Sequence, residues 1–170
     1  MEHFWLCDVS GHNTFDPEGP LSLGALYDAL VKQGLLEVFF YDGAPDREEF
    51  IRIFSGEERW TYAAFAVDGR PLVLAAVRGI TGKSGMFDFC YFSAGLPCKE
   101  RLARECLLML REGGMRSLVG LTPAPYRHAL RFASRVGFAR AGVVPGACVF
   151  ASRGGRVADG VVTIMDLQTL

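Results

Sequence analysis

The chain has 170 residues, half of them hydrophobic, with 22% charged residues and a formal net charge of −1. That length suits one domain able to bury a real core, and the composition is that of a globular protein and excludes a disordered chain. Near-neutral charge excludes a global field drawing the protein to nucleic acid or an anionic membrane, and no apolar run approaches the ~20 residues that span a bilayer.

The start lacks both a basic n-region and a long apolar stretch, so no signal peptide is expected. Five cysteines at scattered spacings, with no CxxC pair, indicate reduced thiols in a cytoplasmic setting. None of the three histidines stands at metal spacing with a cysteine, so no metal site is expected.

In chain order, Phe4 to Val9 forms a short strand and Gly11 to Pro20 a turn-rich loop. Ser22 caps a helix carrying Leu23, Leu26, Tyr27, Leu30 and Val31 at helical spacing, and Gly34 ends it. Leu35 to Tyr41 reads as a strand or extended approach. Asp46, with Glu49 three residues on, has the form of a capping box opening a short helix. Three strands follow. Trp60 to Val67 turns at Asp68-Gly69 into Pro71 to Val77, and the glycine-rich connection Gly79 to Gly85 leads to Met86 to Phe92. Lys99 to Glu112 is a helix with an apolar stripe, stopped by Gly113-Gly114. Ser117 to Leu121 is a short apolar strand and Pro125 to Val136 a helix; then come Val143-Val144, Cys148 to Ser152, a hairpin signal at Gly154-Gly155 and the apolar strand Val157 to Leu167. The order is a mixed α/β (α+β) sheet flanked by helices, and lacks the regular βαβ alternation of a Rossmann fold.

Two helices, a three-strand meander, a helix, a strand, a helix and a closing hairpin resemble the layout of the GNAT N-acetyltransferase family. The stretch ALRFASRVGFARAGVVPG is similar to that family's closing helix and its Gly-Phe exit, and DGVVTIMDL to its last strand. The subgroup it resembles most is the one often carried in phages and prophages. The resemblance implies a GNAT-like acyl-CoA N-acyltransferase fold over residues 1–170, with a mixed, mostly antiparallel central sheet. It implies acetyl-CoA as co-substrate, held along the central strand and the turn into the central helix: Cys90, Tyr91, Phe92, Ser93, Lys99, Glu100 and Arg101. It further implies a small amine or peptide amine as acceptor, and leaves a homodimer open.

The sequence departs from the family pattern at three places. The turn SAGLPCKER keeps Gly95 but not the Gly-x-Gly pair, and Pro97 removes a backbone donor. Ala133 stands four residues before Gly137, where many members keep an acidic tyrosine. Tyr126 stands where the family often keeps an asparagine.

The candidate catalytic residues are therefore Asp88 and Tyr126. Asp88 lies mid-strand, on one face with Met86, Cys90 and Phe92. A carboxylate in so apolar a strand is costly unless it is paired or lines a cleft, and enclosure would move it toward the range of a general base. Its alternative role is a structural bond to a neighbouring strand or arginine. Tyr126 offers a hydroxyl near a helix start, or simply a core ring. Asp42, Asp46, Glu48 and Glu49 could draw a cationic amine, or serve only as turn and cap residues. His128, with Arg127, Arg131, Arg135 and Arg140, forms a basic face that fits a polyanion or plain solvent. The departures also define a rival reading, a catalytically degenerate GNAT-fold binding or assembly protein.

Overall fold

A computed structural model describes residues 4–9, 21–56 and 59–170. The loop expected over Gly11 to Pro20 lies outside the described residues. Seven strands form one sheet: β1 (Phe4–Asp8), β2 (Trp60–Ala66), β3 (Pro71–Thr81), β4 (Ser84–Tyr91), β5 (Ser117–Pro123), β6 (Ala139–Phe150) and β7 (Arg156–Asp166). Their order is β1-β2-β3-β4-β5-β7-β6, with every neighbouring pair antiparallel except β4 and β5. Five helices flank it: α1 (Leu23–Lys32), α2 (Leu36–Phe39), α3 (Arg47–Phe54), α4 (Lys99–Glu112) and α5 (Arg127–Arg135).

The two faces of the sheet are covered by different helices, and the period of two along each strand sorts the side chains between them. Ala63 and Phe65 of β2, Leu74 and Ala76 of β3, and Phe92 meet Leu26 and Leu30 of α1 and Phe50 and Phe54 of α3. The alternate residues Ala64, Val73 and Ala75 meet Leu102 and Cys106 of α4, while Val77 meets Leu107 and Leu110. Burial on both faces explains why β2 and β3 read as continuous apolar runs rather than alternating ones.

The expected caps form as written in the sequence. The Ser22 hydroxyl accepts the Ala25 N–H, and the Asp46 carboxylate accepts the Glu49 N–H at 2.9 Å. Gly69, at φ 81°, turns the β2–β3 hairpin.

Three expectations are corrected. Leu35 to Tyr41 is not extended: it contains the short helix α2, whose Phe39 ring packs against Phe54, while Phe40, just past its end, packs against Phe50. Gly79 to Gly85 is not a loop, because β3 runs to Thr81 and β4 begins at Ser84. Val143-Val144 and Cys148 to Ser152 are not separate pieces: Ala139–Phe150 is the single strand β6, whose register shifts between Arg140 and Gly142 and between Val144 and Cys148, and Ala151 and Ser152 lie in a 3-10 turn beyond it.

The parallel pair β4 and β5 shapes the site. It holds for three residue pairs, Ser84 with Ser117, Gly85 with Leu118 and Met86 with Val119. A short hydrogen bond between the Ser84 and Ser117 hydroxyls closes this end. Past it the strands part. β4 stays bonded to β3 as far as Tyr91, and β5 to β7 as far as Pro123, so each is held from behind and neither has a strand partner across the gap.

Candidate active site

The parting of β4 and β5 opens a cleft of about 230 Å³ through the sheet. Phe87 to Tyr91 form one wall and Gly120 to Pro123 the other, with α2 over one end and α5 over the opposite one. Backbone N–H and C=O groups on the facing edges lack the ladder partners that a continuous sheet would give them, so an extended ligand bearing amides could complete them. Below α5 the lining is apolar: Phe132 stacks on Phe89 at 5.6 Å, and Phe138 on Phe87 at 5.8 Å.

Both candidate catalytic residues line this cleft. The alternation expected for β4 places Asp88 on the α2 side, and its carboxylate accepts a hydrogen bond from Arg78 Nε at 2.6 Å. Its side chain is 30% exposed. Asp88 thus both lines the cleft and bonds an arginine, Arg78 on the neighbouring strand, which compensates its charge. The bond to Asp88 in turn raises the Arg78 guanidinium above its ordinary range. Arg59 lies close enough to feel both groups, and is lowered chiefly by burial and then by Arg78.

Tyr126 begins α5, with its ring 5.6 Å from Phe150. Burial raises its phenol, so the proton stays on the oxygen at neutral pH. Tyr41, whose ring also packs against Phe150 at 5.9 Å, lines the cleft as well. Its phenol is raised further, first by burial and then by the Cys148 thiol, which donates to the Tyr41 oxygen at 3.8 Å.

The expected cofactor-binding residues separate into two groups. Cys90 and Tyr91 line the cleft, with the Cys90 thiol pushed up to about 12 by burial. Lys99 Nζ lies 5.7 Å over the Tyr91 ring, so one cation stands at this end of the strand. Phe92 is fully buried in the core. Glu100 pairs with Arg135 at 3.3 Å, and Arg101 lies over Phe4 on the outer strand β1, beyond the cleft.

The turn itself differs from an open anion cradle. Ser93–Cys98 form a 3-10 segment that runs directly into α4. The Ser93 N–H donates to Gln33 Oε1 at 2.8 Å, and the Gly95 N–H to the Phe92 carbonyl. With Pro97 lacking an N–H, several of the donors that would cradle a phosphate are used or missing. The strand portion of the site fits the extended arm of an acyl-CoA; the turn fits its phosphates only through nearby cations.

Sequence reasoning missed Tyr41, Arg78 and Gln33. A signal for Arg78 existed: the apolar run VLAAVRGIT holds a lone cation and the next strand, MFDFCYF, a lone anion, which the register brings into diagonal reach. Nothing adjacent to Tyr41 or Gln33 marks them, because their partners are 107 and 60 residues away in the chain. Of the acidic residues about α3, Asp46 caps the helix and Glu49 pairs with Arg52 at 3.4 Å, while Asp42 lies close enough to Tyr41 and Arg78 to act on both. No metal-binding group of His, Cys, Asp and Glu occurs among the described residues, nor does a disulfide, nor a helix long and apolar enough to cross a membrane.

No family model matches the chain, and no curated protein matches it by sequence. Solved structures do. The spermidine N-acetyltransferase of Vibrio cholerae, in complex with CoA and spermine, superposes with a TM-score of 0.76 at 10% identity, covering 97% of this chain and 96% of that one. An N-acetyltransferase from Staphylococcus aureus Mu50 gives 0.74 at 12% identity over 98% and 99% of the two chains. The ribosomal-protein-S5-alanine acetyltransferase of Vibrio fischeri gives 0.72 at 9% identity over 98% and 94%. At such identities the likeness is one of backbone, and the fold of this chain is that of the GNAT N-acetyltransferases.

Proposed function

We propose that the protein is an N-acyltransferase that moves an acetyl group from acetyl-CoA to a small amine or peptide amine. The parting of β4 and β5 after Met86 and Val119 carries this reading. It leaves two strand edges without partners along an apolar cleft, which suits an extended chain with amides at intervals. Cys90 and Tyr91 would flank the pantetheine arm, and Lys99 would stand near its phosphates. Acetyl-CoA would supply an activated acyl group: a C–N bond forms as the C–S bond breaks, the amine loses one proton and the sulfur gains one.

The residues at hand suit those two proton movements. The carboxylate of Asp88 accepts the amine proton, directly or through a water, and its bond to Arg78 fixes its orientation. Tyr126, whose phenol keeps its proton at neutral pH, donates to the leaving sulfur. Titration calorimetry with acetyl-CoA tests the reading. Saturable heat at one ligand per chain is expected, and no heat at millimolar ligand overturns it.

A second reading is favoured by one observation. The donors at the β4–α4 turn are engaged by Gln33 and Phe92, and Ala133 supplies no hydroxyl. A GNAT-fold binding module would show this arrangement without any transfer. Release of free thiol from acetyl-CoA with a panel of amines, at a rate lost in Asp88→Asn, excludes that module.

A further inference from the structure

We propose that the acceptor is a monoamine on an apolar, ring-bearing body, an arylalkylamine, and not a polyamine or a basic peptide. This rests on the acyl-transfer reading above and names the substrate class of the same site.

The α2 end of the cleft is apolar and aromatic. Leu35, Val38 and Phe39 face it from the α2 segment, and Tyr41 and Tyr126 stand beside them. Both tyrosine rings pack against the buried Phe150, at ring distances of 5.9 and 5.6 Å. The Ala151 N–H donates to the Tyr41 carbonyl at 2.9 Å, which ties this wall to the end of β6. Two rigid ring faces flanked by aliphatic side chains suit a flat apolar body, bound by offset or edge-on ring contact.

The charges argue the same way. Among the described residues Asp88 is the one carboxylate lining the cleft, and Arg78 already compensates it at 2.6 Å. Arg59 adds a second cation within range of that pair. Asp42 also acts on Tyr41 and Arg78, so two carboxylates balance two guanidinium groups and leave no surplus negative charge to offset the cost of desolvating the several ammonium groups of a polyamine. Asp46 and Glu49 offer no relief, since one caps α3 and the other pairs with Arg52. A monoamine avoids the cost, because its nitrogen must shed its charge before attacking the thioester carbon.

Thiol release from acetyl-CoA is to be measured with 2-phenylethylamine and with spermidine, and binding of 2-phenylethylamine to the chain alone by ligand-observed NMR. The expected kcat/KM is at least about tenfold higher for 2-phenylethylamine. Val38 is 43% exposed, so Val38→Glu should fold, checked by circular dichroism. It is expected to weaken 2-phenylethylamine by about tenfold in both assays and to narrow the preference over spermidine. Equal or better turnover of spermidine overturns the proposal and leaves acyl transfer standing. So does an unchanged preference in folded Val38→Glu. If no amine is turned over but 2-phenylethylamine binds in a manner that Val38→Glu weakens, acyl transfer fails and the aromatic-amine site stands. Absence of both turnover and binding overturns both.

Discussion

Arg78 and Asp88 lie on adjacent antiparallel strands and meet at 2.6 Å, on the edge of the gap between β4 and β5. Asp88 could serve as a base only while Arg78 holds it, and Arg78 could remain half-buried only while Asp88 compensates it. Structure and chemistry are thereby coupled at one pair. Asp88→Asn is expected to cut thiol release by at least about 100-fold. Its effect on stability should be small, about 1 kcal/mol by urea unfolding, because the pair still reaches water. A large loss of stability with activity retained would make the pair purely structural.

Gly95 is the glycine that the turn retains, and its role is steric. A Cβ there would overlap the Leu72 carbonyl oxygen, which also accepts the Phe92 N–H at 2.9 Å. Gly95→Ala should therefore push the 3-10 segment off β3 and cost about 2 kcal/mol in urea unfolding. A neutral effect would show that the turn adjusts freely.

Gln33 reaches from the end of α1 to cap the Ser93 N–H at 2.8 Å. Gln33→Ala is expected to cost about 0.5 to 1 kcal/mol, the ordinary cost of losing such a cap. It also frees an N–H at the start of the turn, so affinity for acetyl-CoA by calorimetry should rise or hold. A drop in affinity would place Gln33 among the ligand's own contacts.

Alkaline pH should destabilise the fold through buried thiols. Burial raises Cys90 and Cys106 from an ordinary 9.0 to about 12. The unfolded chain ionises these thiols above pH 9 while the folded chain keeps their protons. Their contribution is thus fully present below pH 9 and lost as pH rises toward 12, by at most about 1.4 kcal/mol per pH unit for each thiol. Urea midpoints at pH 8 and 10.5 should fall less steeply in Cys106→Ala than in the parent chain. Equal slopes would remove Cys106 from the account.

Much of the fold was legible in the residues themselves. Ser22 and Asp46 are caps with local partners, Asp68-Gly69 is a local turn, and the apolar stripe of Lys99 to Glu112 has the period of a helix. Such signals act within a few residues, so they survive in a linear reading. Leu35 to Tyr41 was misread because LLEVFFY has the composition of a strand. Its helix is held by ring contacts to Phe50 and Phe54, which lie beyond the segment itself.

The sequence alone determined the element order outside Leu35 to Tyr41, the candidate residues Asp88 and Tyr126, and the loss of the Gly-x-Gly pair. Tertiary structure decided what surrounds them. It set Arg78 against Asp88, placed Tyr41 and Tyr126 about Phe150, brought Gln33 to Ser93, and opened the gap beyond Met86 and Val119. The physical reason is sequence separation. Capping and period depend on neighbours along the chain, whereas a charge partner, a ring wall and a strand gap depend on which distant segments the sheet brings side by side.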